Sequence, residues 1–187
     1  RGGRRFYCAL SFDYGQRHGR ELEMARWQVA RLAAVVEHRV VDMGMMGDLL
    51  GDSASALLKS GPEVPELDRI PEAERAQPPT YVPNRNLVLL SLAAAFAESR
   101  RCPAVYYGAQ AHDQYGYWDC TPEFVERANS ILALNRSFRV TIKAPFSAMS
   151  KADEVRLGQR LGVNFAMTWS CYRGGDAPCG TCPTCVE

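Results

Sequence analysis

Apolar and polar positions follow the pattern of a strand, a helix and a second strand at the start of the chain. Residues 4–13 contain an apolar run at residues 6–10, which predicts a buried strand, and residues 37–42 predict another strand. Residues 20–34 carry apolar side chains at helical spacing, with glutamate and arginine on the opposite face, which predicts an amphipathic helix. A strand–helix–strand unit of this kind joins two parallel strands through a right-handed crossover, so the pattern predicts a parallel sheet.

A similar alternation returns after residue 79. Strands are predicted over residues 104–109 and 138–143, and helices over residues 86–100, 121–134 and 150–161. Thr121 before Pro122 marks one helix start, and Ser150 with Asp153 forms a capping-box pattern at another. Leucine and alanine on nearly every side of the helix at 86–100 predict burial against a sheet. The order of elements predicts an α/β fold with a mainly parallel sheet and helices on both faces.

Residues 43–79 break this pattern. Glycine and proline are frequent there, and only residues 45–50 and 54–58 have the pattern of short helical pieces. Long irregular segments are often mobile or act as lids over a site. We interpret this stretch as an irregular excursion from the α/β fold and not as a separate domain.

Composition narrows the class of protein. The 187 residues have 47% hydrophobic and 23% charged side chains, as is usual in globular proteins, and a net charge of +1. That charge argues against a strongly basic nucleic-acid surface, and no apolar run reaches transmembrane length. Cys8, Cys102 and Cys120 stand apart in the sequence, which indicates free thiols in a reducing cytoplasm.

The remaining four cysteines lie within fifteen residues, and the last three follow the spacing C-x-x-C-x-x-C. They are Cys171, Cys179, Cys182 and Cys185. Four converging thiolates satisfy the tetrahedral preference of Zn²⁺, so the spacing predicts a structural zinc site. Disulfides, a redox pair and an iron–sulfur cluster remain alternatives. We predict a zinc knuckle over residues 171–187, attached to an α/β domain of residues 1–170.

Basic side chains stand where predicted helices begin. Arg17 and His18 precede the first helix, Arg85 opens the helix at 86–100, and Lys151 lies in the first turn of another. A cation at a helix N-terminus opposes the helix dipole, and a bound phosphate or carboxylate would offset that cost. The alternative is a set of solvated side chains in polar capping loops.

Acidic and aromatic side chains gather in the loop after the third predicted strand. Asp113, Tyr117 and Asp119 combine ring faces with carboxylates, which suits a flat heterocycle that is stacked and hydrogen-bonded at its edge. Ligands of parallel sheets bind beyond the carboxyl ends of the strands, where this loop begins. The alternative is a loop whose aromatic rings fold back onto the core. None of these features names a reaction.

Five segments together resemble the 7-cyano-7-deazaguanine synthase family. They are residues 11–18, 81–86, 117–124, 150–153, and 168–172 with the cysteine run, in the family's order and over nearly the whole chain. The resemblance implies the adenine-nucleotide α-hydrolase fold of ATP pyrophosphatases. It also implies ATP-dependent conversion of 7-carboxy-7-deazaguanine and ammonia to the nitrile, for queuosine-type nucleosides.

The resemblance further implies Mg²⁺ beside the phosphates of ATP and a homodimer. With the structural zinc that the cysteine spacing predicts, the reducing cytoplasm that the free thiols indicate and the near-zero net charge, we expect a cytoplasmic protein without direct contact to nucleic acid. On this basis Arg85 and Lys151 are the expected catalytic residues at anionic groups. Arg17 and His18 are the expected ATP contacts. The expected substrate contacts are Asp113, Tyr117 and Asp119.

The chain departs from the family pattern at three places. The family's first strand and its Ser-Gly-Gly-x-Asp-Ser phosphate loop have no counterpart here, so we expect the sequence to be truncated at its start. Asn84 stands where glycine is usual, and Trp118 and Thr121 stand where proline and arginine are common. An amide-forming paralogue, a tRNA-modifying ATP pyrophosphatase and a non-catalytic zinc-knuckle binding module remain alternatives.

Overall fold

A computed structural model describes residues 6–51, 55–74 and 77–186 of the chain. Its strands are β1 (Tyr7–Asp13), β2 (Val35–Asp42), β3 (Ala104–Tyr106) and β4 (Thr141–Lys143). Its α-helices are α1 (Arg20–Ala30), α2 (Gly44–Leu50), α3 (Arg85–Ser99), α4 (Pro122–Leu132), α5 (Lys151–Arg160) and α6 (Pro183–Val186). Arg4 and Arg5 of the first predicted strand, and Ala54 of a predicted helical piece, lie outside the described residues.

Contacts between Cα atoms divide the chain into two compact units. The first comprises residues 1–71, 79–82 and 164–187, and the second comprises residues 72–78 and 83–163. Strand β1 pairs in parallel with β2 in the first unit, and β3 pairs in parallel with β4 in the second. The predicted α/β class with parallel strands is confirmed. The boundary at residue 170 between a domain and a knuckle stays a prediction.

In the first unit the strand–helix–strand start of the chain folds as predicted, but the predicted burial of the first strand is wrong, since every residue of β1 is at least partly exposed. The β1–β2 register runs from Cys8 opposite Glu37 to Asp13 opposite Asp42. Helix α1 packs on both strands and buries Leu22. It ends four residues before the predicted end, because the chain must turn before β2 begins at Val35.

The irregular stretch after β2 is more tightly packed than its composition indicates. The helical piece predicted at 45–50 is confirmed as α2, but the one predicted at 54–58 is wrong where it is described. There the backbone N–H of Ala56 donates to the carbonyl of Pro79, and that of Lys59 donates to the carbonyl of Gly15. Ala56 and Leu57 are completely buried, which argues against a lid at this point.

In the second unit, α3 and α4 pack against the β3–β4 pair. Two buried clusters form this core: Leu90, Phe124 and Ile142, and then Ala94, Ala97 and Val140. Helix α3 buries one face only, since Leu87, Val88 and Leu92 on its other side are 37–41% exposed. The predicted burial of this helix against a sheet is therefore confirmed for one of its faces. None of the helices in the described ranges is both long enough and apolar enough to cross a membrane.

Both predicted helix caps in this unit are confirmed. The Thr121 side chain accepts from the backbone N–H of Phe124 at 3.1 Å, with Pro122 at the first helical position. Ser150 and Asp153 form a reciprocal capping box at the start of α5. These local hydrogen bonds satisfy N–H groups that a helix start leaves without partners.

Candidate metal centre and ligand-binding residues

The four clustered cysteines of the first unit converge on one point. The sulfur atoms of Cys171, Cys179, Cys182 and Cys185 all lie within 4.8 Å of one another. Ligands about 2.3 Å from a tetrahedral Zn²⁺ stand roughly 3.8 Å apart, so a small adjustment brings all four into bonding range. Cys171 and Cys182 are buried, whereas the other two are partly exposed. This arrangement fits a closed metal shell.

Hydrogen bonds around the sulfurs also suit thiolate ligands. The backbone N–H of Cys182 donates to Cys179 Sγ at 3.3 Å, and that of Cys179 donates to Cys171 Sγ at 3.4 Å. Burial opposes ionisation of Cys179, but N–H donors outweigh it and lower the pKa of this thiol to about 6. Burial and the neighbouring thiols raise the pKa of Cys185 to about 12. A bound cation would favour deprotonation of all four thiols.

The cysteine run is anchored to the irregular stretch of the same unit. Cys171 and Cys182 pack with Ala56 and Val64 in one buried cluster. The Arg173 guanidinium donates to the carbonyl of Val64, and the backbone N–H of Leu67 donates to the carbonyl of Thr181. A metal held by the cysteines would therefore stabilise a segment more than a hundred residues earlier in the chain.

Arg17 is engaged by backbone carbonyls in this structure. Its Nε donates to the Ala56 carbonyl at 3.0 Å, and its Nη2 donates to the carbonyls of Gly61 and Pro62. These bonds hold the turn at residues 55–62, which indicates a structural role for the guanidinium. The predicted contact of Arg17 with ATP stays a prediction.

His18 lies beside Arg17 in a polar network. Its Nε2 is 3.2 Å from Glu21 Oε2, and Glu21 also accepts from Gln16 Nε2 at 3.0 Å. The imidazole is 5% exposed and packs against the Tyr172 ring, with the ring centroids 5.6 Å apart. Its Nδ1 has no hydrogen-bond partner among the described residues. Glu21 thus fixes the ring, and the predicted ATP contact of His18 is untested.

In the second unit, Asp119 caps helix α3 from a distant part of the sequence. Its Oδ2 accepts from the backbone N–H of Asn86 at 3.0 Å, and the side chain is 2% exposed. Burial raises the pKa of this carboxyl, although the Asn86 N–H and the charge of Arg85 oppose the rise. The structure therefore gives Asp119 a positioning role at the start of α3. Its predicted contact with substrate stays a prediction.

Asn84 explains why α3 needs this distant cap. Its backbone is left-handed, with φ of 55°, and its own side chain makes no capping hydrogen bond. Asparagine adopts this conformation more readily than most residues, and glycine does so most readily of all. Arg85 follows as the first helical residue, and its charge lies near Asp119 and Cys120. Burial raises the pKa of the Cys120 thiol to about 12, so it stays protonated here.

The loop after β3 brings Asp113 to the start of α5. Asp113 Oδ2 accepts from the backbone N–H of Gln110 at 3.0 Å, and its carbonyl accepts from the N–H of Tyr117 at 2.9 Å. The backbone N–H of Ala111 donates to the carbonyl of Met149, two residues before Lys151. The second unit therefore gathers Arg85 with Asp119, and Asp113 with Lys151.

Two acceptors at this place were missed by the sequence interpretation. The side-chain oxygens Gln110 Oε1 and Glu154 Oε1 are buried and have no hydrogen-bond partner within the described part of the chain. Burial and the nearby charge of Asp113 raise the pKa of the Glu154 carboxyl, and Lys151 opposes the rise. Glu154 follows Lys151 by one helical turn, but only the folded loop shows that Asp113 lies beside it.

Comparison with known proteins agrees with the resemblance seen in the sequence. The profile of the family described as "Queuosine biosynthesis protein QueC" matches residues 4–187. The chain is 41% identical over 179 residues to the 7-cyano-7-deazaguanine synthase of Pseudoalteromonas atlantica, which covers 96% of this chain and 78% of that protein.

Two further relatives carry the same name. The Marinobacter nauticus protein is 43% identical over 179 residues, covering 96% of this chain and 77% of its own length. The Aquifex aeolicus protein is 43% identical over 185 residues, covering 96% of this chain and 81% of its own length. The chain belongs to the QueC family of queuosine biosynthesis proteins.

Proposed function

We propose that this protein converts 7-carboxy-7-deazaguanine and ammonia to 7-cyano-7-deazaguanine at the expense of ATP. The observation that carries the proposal is the 41–43% identity, over 96% of the chain, to relatives named 7-cyano-7-deazaguanine synthase. The converging cysteines and the polar clusters of the second unit support it.

The proposed reaction has two activation steps. A carboxylate oxygen of the substrate attacks the α-phosphorus of ATP and releases pyrophosphate. Ammonia then adds to the acyl carbon, and AMP and a proton leave to give the amide. The amide oxygen then attacks the α-phosphorus of a second ATP, which releases pyrophosphate and one N–H proton, and loss of AMP and the remaining N–H proton gives the nitrile.

Catalysis of this kind depends on positioning and on neutralising charge at the phosphates. We assign that role to Arg85 and Lys151, which stand at the N-termini of α3 and α5 where a helix favours anions. Mg²⁺ would bind together with ATP and share the same role. Arg17 and His18 are proposed ATP contacts, whereas Asp113, Tyr117 and Asp119 are proposed to contact or to position the heterocycle.

The four cysteines are proposed to hold a structural Zn²⁺ and to take no part in the reaction. With four protein ligands no position stays open for a substrate, so the metal would act on folding alone. We also propose a cytoplasmic homodimer that acts on small molecules and does not bind nucleic acid directly.

Turnover by the full-length protein tests the proposed reaction. The protein is incubated with ATP, Mg²⁺, ammonium and 7-carboxy-7-deazaguanine, and the heterocycle is followed by mass spectrometry. The nitrile is expected. Accumulation of the amide alone would indicate a paralogue that stops halfway, and Trp118 and Thr121 would be the first residues to exchange. If folded, zinc-loaded protein forms neither the nitrile nor the amide, the proposal is contradicted.

Arg85→Ala tests the assigned role of the cation on α3. Turnover should fall by a factor of a hundred or more, on the order of one charged contact to a phosphate in a transition state, while zinc content is unchanged. Arg136→Ala removes an exposed arginine of the same unit and should leave turnover unchanged. Loss of zinc or of folding in Arg85→Ala would instead indicate a structural role for Arg85.

A further inference from the structure

Two buried oxygen atoms of the second unit have no hydrogen-bond partner among the described residues. Gln110 is 5% exposed, and its Oε1 makes no hydrogen bond within the described residues. Glu154 Oε1 is also buried, and it also lacks a hydrogen-bond partner among the described residues. Buried acceptors are nearly always hydrogen-bonded in native proteins, because an unpaired one forfeits its hydration. Each atom therefore indicates a donor that the described residues do not supply.

Gln110 and Glu154, the residues that carry these oxygens, both lie near Asp113. The backbone N–H of Gln110 donates to Asp113 Oδ2 at 3.0 Å. The next residue, Ala111, donates to the carbonyl of Met149 at 3.1 Å, which holds this loop against the start of α5. Glu154 lies in the first turns of α5, close enough for the charge of Asp113 to raise the pKa of its carboxyl. Gln110 and Glu154 are thus parts of one cluster.

The cluster is rich in acceptors, and the cation Lys151 lies near Glu154. A ligand that satisfies it must present N–H groups, and a neutral edge with two adjacent donors suits a carboxylate and an amide oxygen best. The guanine-type edge of a deazaguanine has such donors in its ring N1–H and its 2-amino group. Its 7-carboxylate is on the other ring, away from this edge.

We propose that the side-chain oxygens of Glu154 and Gln110 accept hydrogen bonds from the N1–H and 2-amino groups of the deazaguanine substrate. The inference rests on the proposed function and adds the residues that select the heterocycle. In this arrangement Asp113 is a positioning residue, because its carboxylate fixes the backbone of Gln110.

Binding of two heterocycles to the full-length protein without ATP tests this assignment. The probes are 7-carboxy-7-deazaguanine and 7-carboxy-7-deazahypoxanthine, which lacks only the 2-amino group, and the dissociation constants are measured by calorimetry. The wild-type protein should prefer the amino compound by about a hundredfold or more, because a site built around a donor rejects the analogue that lacks it.

Variants of the two acceptors should lose this preference. Glu154→Gln should weaken binding of the amino compound by roughly 10–100-fold, as expected for a hydrogen bond to a charged group, and should affect the analogue less. Gln110→Met removes the other acceptor and should have a similar effect, whereas Gln110→Glu keeps an acceptor and should restore part of the preference. The matched control, Glu126→Gln on the exposed face of α4, should change neither constant.

The outcomes separate this inference from the proposed function. If the wild-type protein forms nitrile but Glu154→Gln and Gln110→Met discriminate between the two heterocycles as well as wild type, the assignment is overturned and the function stands. If wild type binds neither compound and forms no product, both fail. Zinc content and circular dichroism of each variant identify those that fail to fold, and Gln110→Glu then serves as the decisive comparison.

Discussion

The two units of the protein are stabilised by different interactions. The first buries apolar side chains such as Leu57 and Leu58, but two of the four members of one buried cluster are cysteines, Cys171 and Cys182. Around it, Arg17 and Arg173 donate to backbone carbonyls of residues 56–64. The second unit has an apolar core of two buried clusters, one of which consists of Leu90, Phe124 and Ile142.

This difference implies different requirements for folding. Apolar burial in the second unit supplies stability without any ligand. In the first unit the buried sulfurs contribute fully only when a metal pairs with them, since structural metal sites and folding are coupled. Removal of the metal should therefore damage one unit and leave the other largely intact.

Cys182→Ser should have the largest effect on stability. Loss of one of four ligands should lower the unfolding free energy of the first unit by on the order of 5 kcal/mol, because the metal no longer crosslinks distant segments. Hydrogen exchange followed by mass spectrometry should show lost protection in residues 55–71 and 164–186. Helices α3 and α4 should stay protected.

Cys102→Ser is the matched control for the Cys182→Ser substitution. Cys102 lies outside the cysteine cluster, and its thiol donates to the carbonyl of Arg100 at 3.8 Å. The variant should retain a full equivalent of zinc. A folded Cys182→Ser protein that also retains a full equivalent would contradict the metal assignment.

Phe124→Ala should have the opposite effect, because it destabilises the second unit and leaves the metal site of the first unit intact. Phe124 is 7% exposed and packs edge-on against Trp118, with ring centroids 5.5 Å apart. Its truncation leaves a cavity and should cost about 4 kcal/mol, measured by denaturant unfolding, with zinc content unchanged. Ile131→Ala on the same helix removes a 65% exposed side chain and should cost less than about 1 kcal/mol. Equal costs would disprove the core assignment.

The second unit was also the easier one to predict from sequence. Thr121 with Pro122, and Ser150 with Asp153, mark helix starts by bonds within four residues, and both occur as predicted. Strands were predicted too long, because β3 and β4 pair over three residues each and an apolar pattern does not show where the partner strand ends.

The first unit depends on contacts that no local pattern shows. The cysteine spacing predicted the metal cluster, because metal ligands recur at short intervals. Sequence gave no sign that Ala56 and Val64 would pack on those cysteines, or that Arg17 would bond to carbonyls near residue 60. In the second unit, likewise, Asp119 and Asn86 are 33 residues apart in sequence. Such pairings follow from tertiary structure alone.

Gly174→Ala tests the close packing of the first unit. The glycine has φ of +68°, and an added Cβ would lie 2.3 Å from the carbonyl oxygen of Arg17. The left-handed backbone and the clash together should cost about 2–3 kcal/mol in thermal or denaturant unfolding. Gly162→Ala has nearly the same φ, +72°, with no neighbouring atom within 4 Å, and should cost only about 1 kcal/mol. Equal losses of unfolding free energy in the two variants would show that the Arg17 backbone moves away from the added methyl group at little cost.

Asp119→Ala tests the distant cap of α3 and should have the smallest effect. Loss of the acceptor for the Asn86 N–H should cost about 1 kcal/mol, the usual value of a helix N-cap. Asp119→Asn keeps an oxygen at the same place and should retain most of that stability. If both variants lose the same amount, the carboxylate acts through its charge on Arg85 and not as a cap.

The pH dependence of the stability of the Asp119→Asn variant shows whether burial or the nearby charge of Arg85 dominates the pKa of Asp119. Burial raises the pKa of Asp119 above its ordinary value, so the folded protein holds this proton to a higher pH than the unfolded chain does. Between the ordinary aspartate pKa and the folded-state pKa, the unfolded state therefore binds fewer protons, and the unfolding free energy falls as pH rises. Asparagine does not titrate, so the stability of the variant relative to wild type should increase across this window and then level off. A relative decrease, measured by urea unfolding at stepped pH, would mean that Arg85 and the Asn86 N–H outweigh burial and that Asp119 is a stabilising carboxylate.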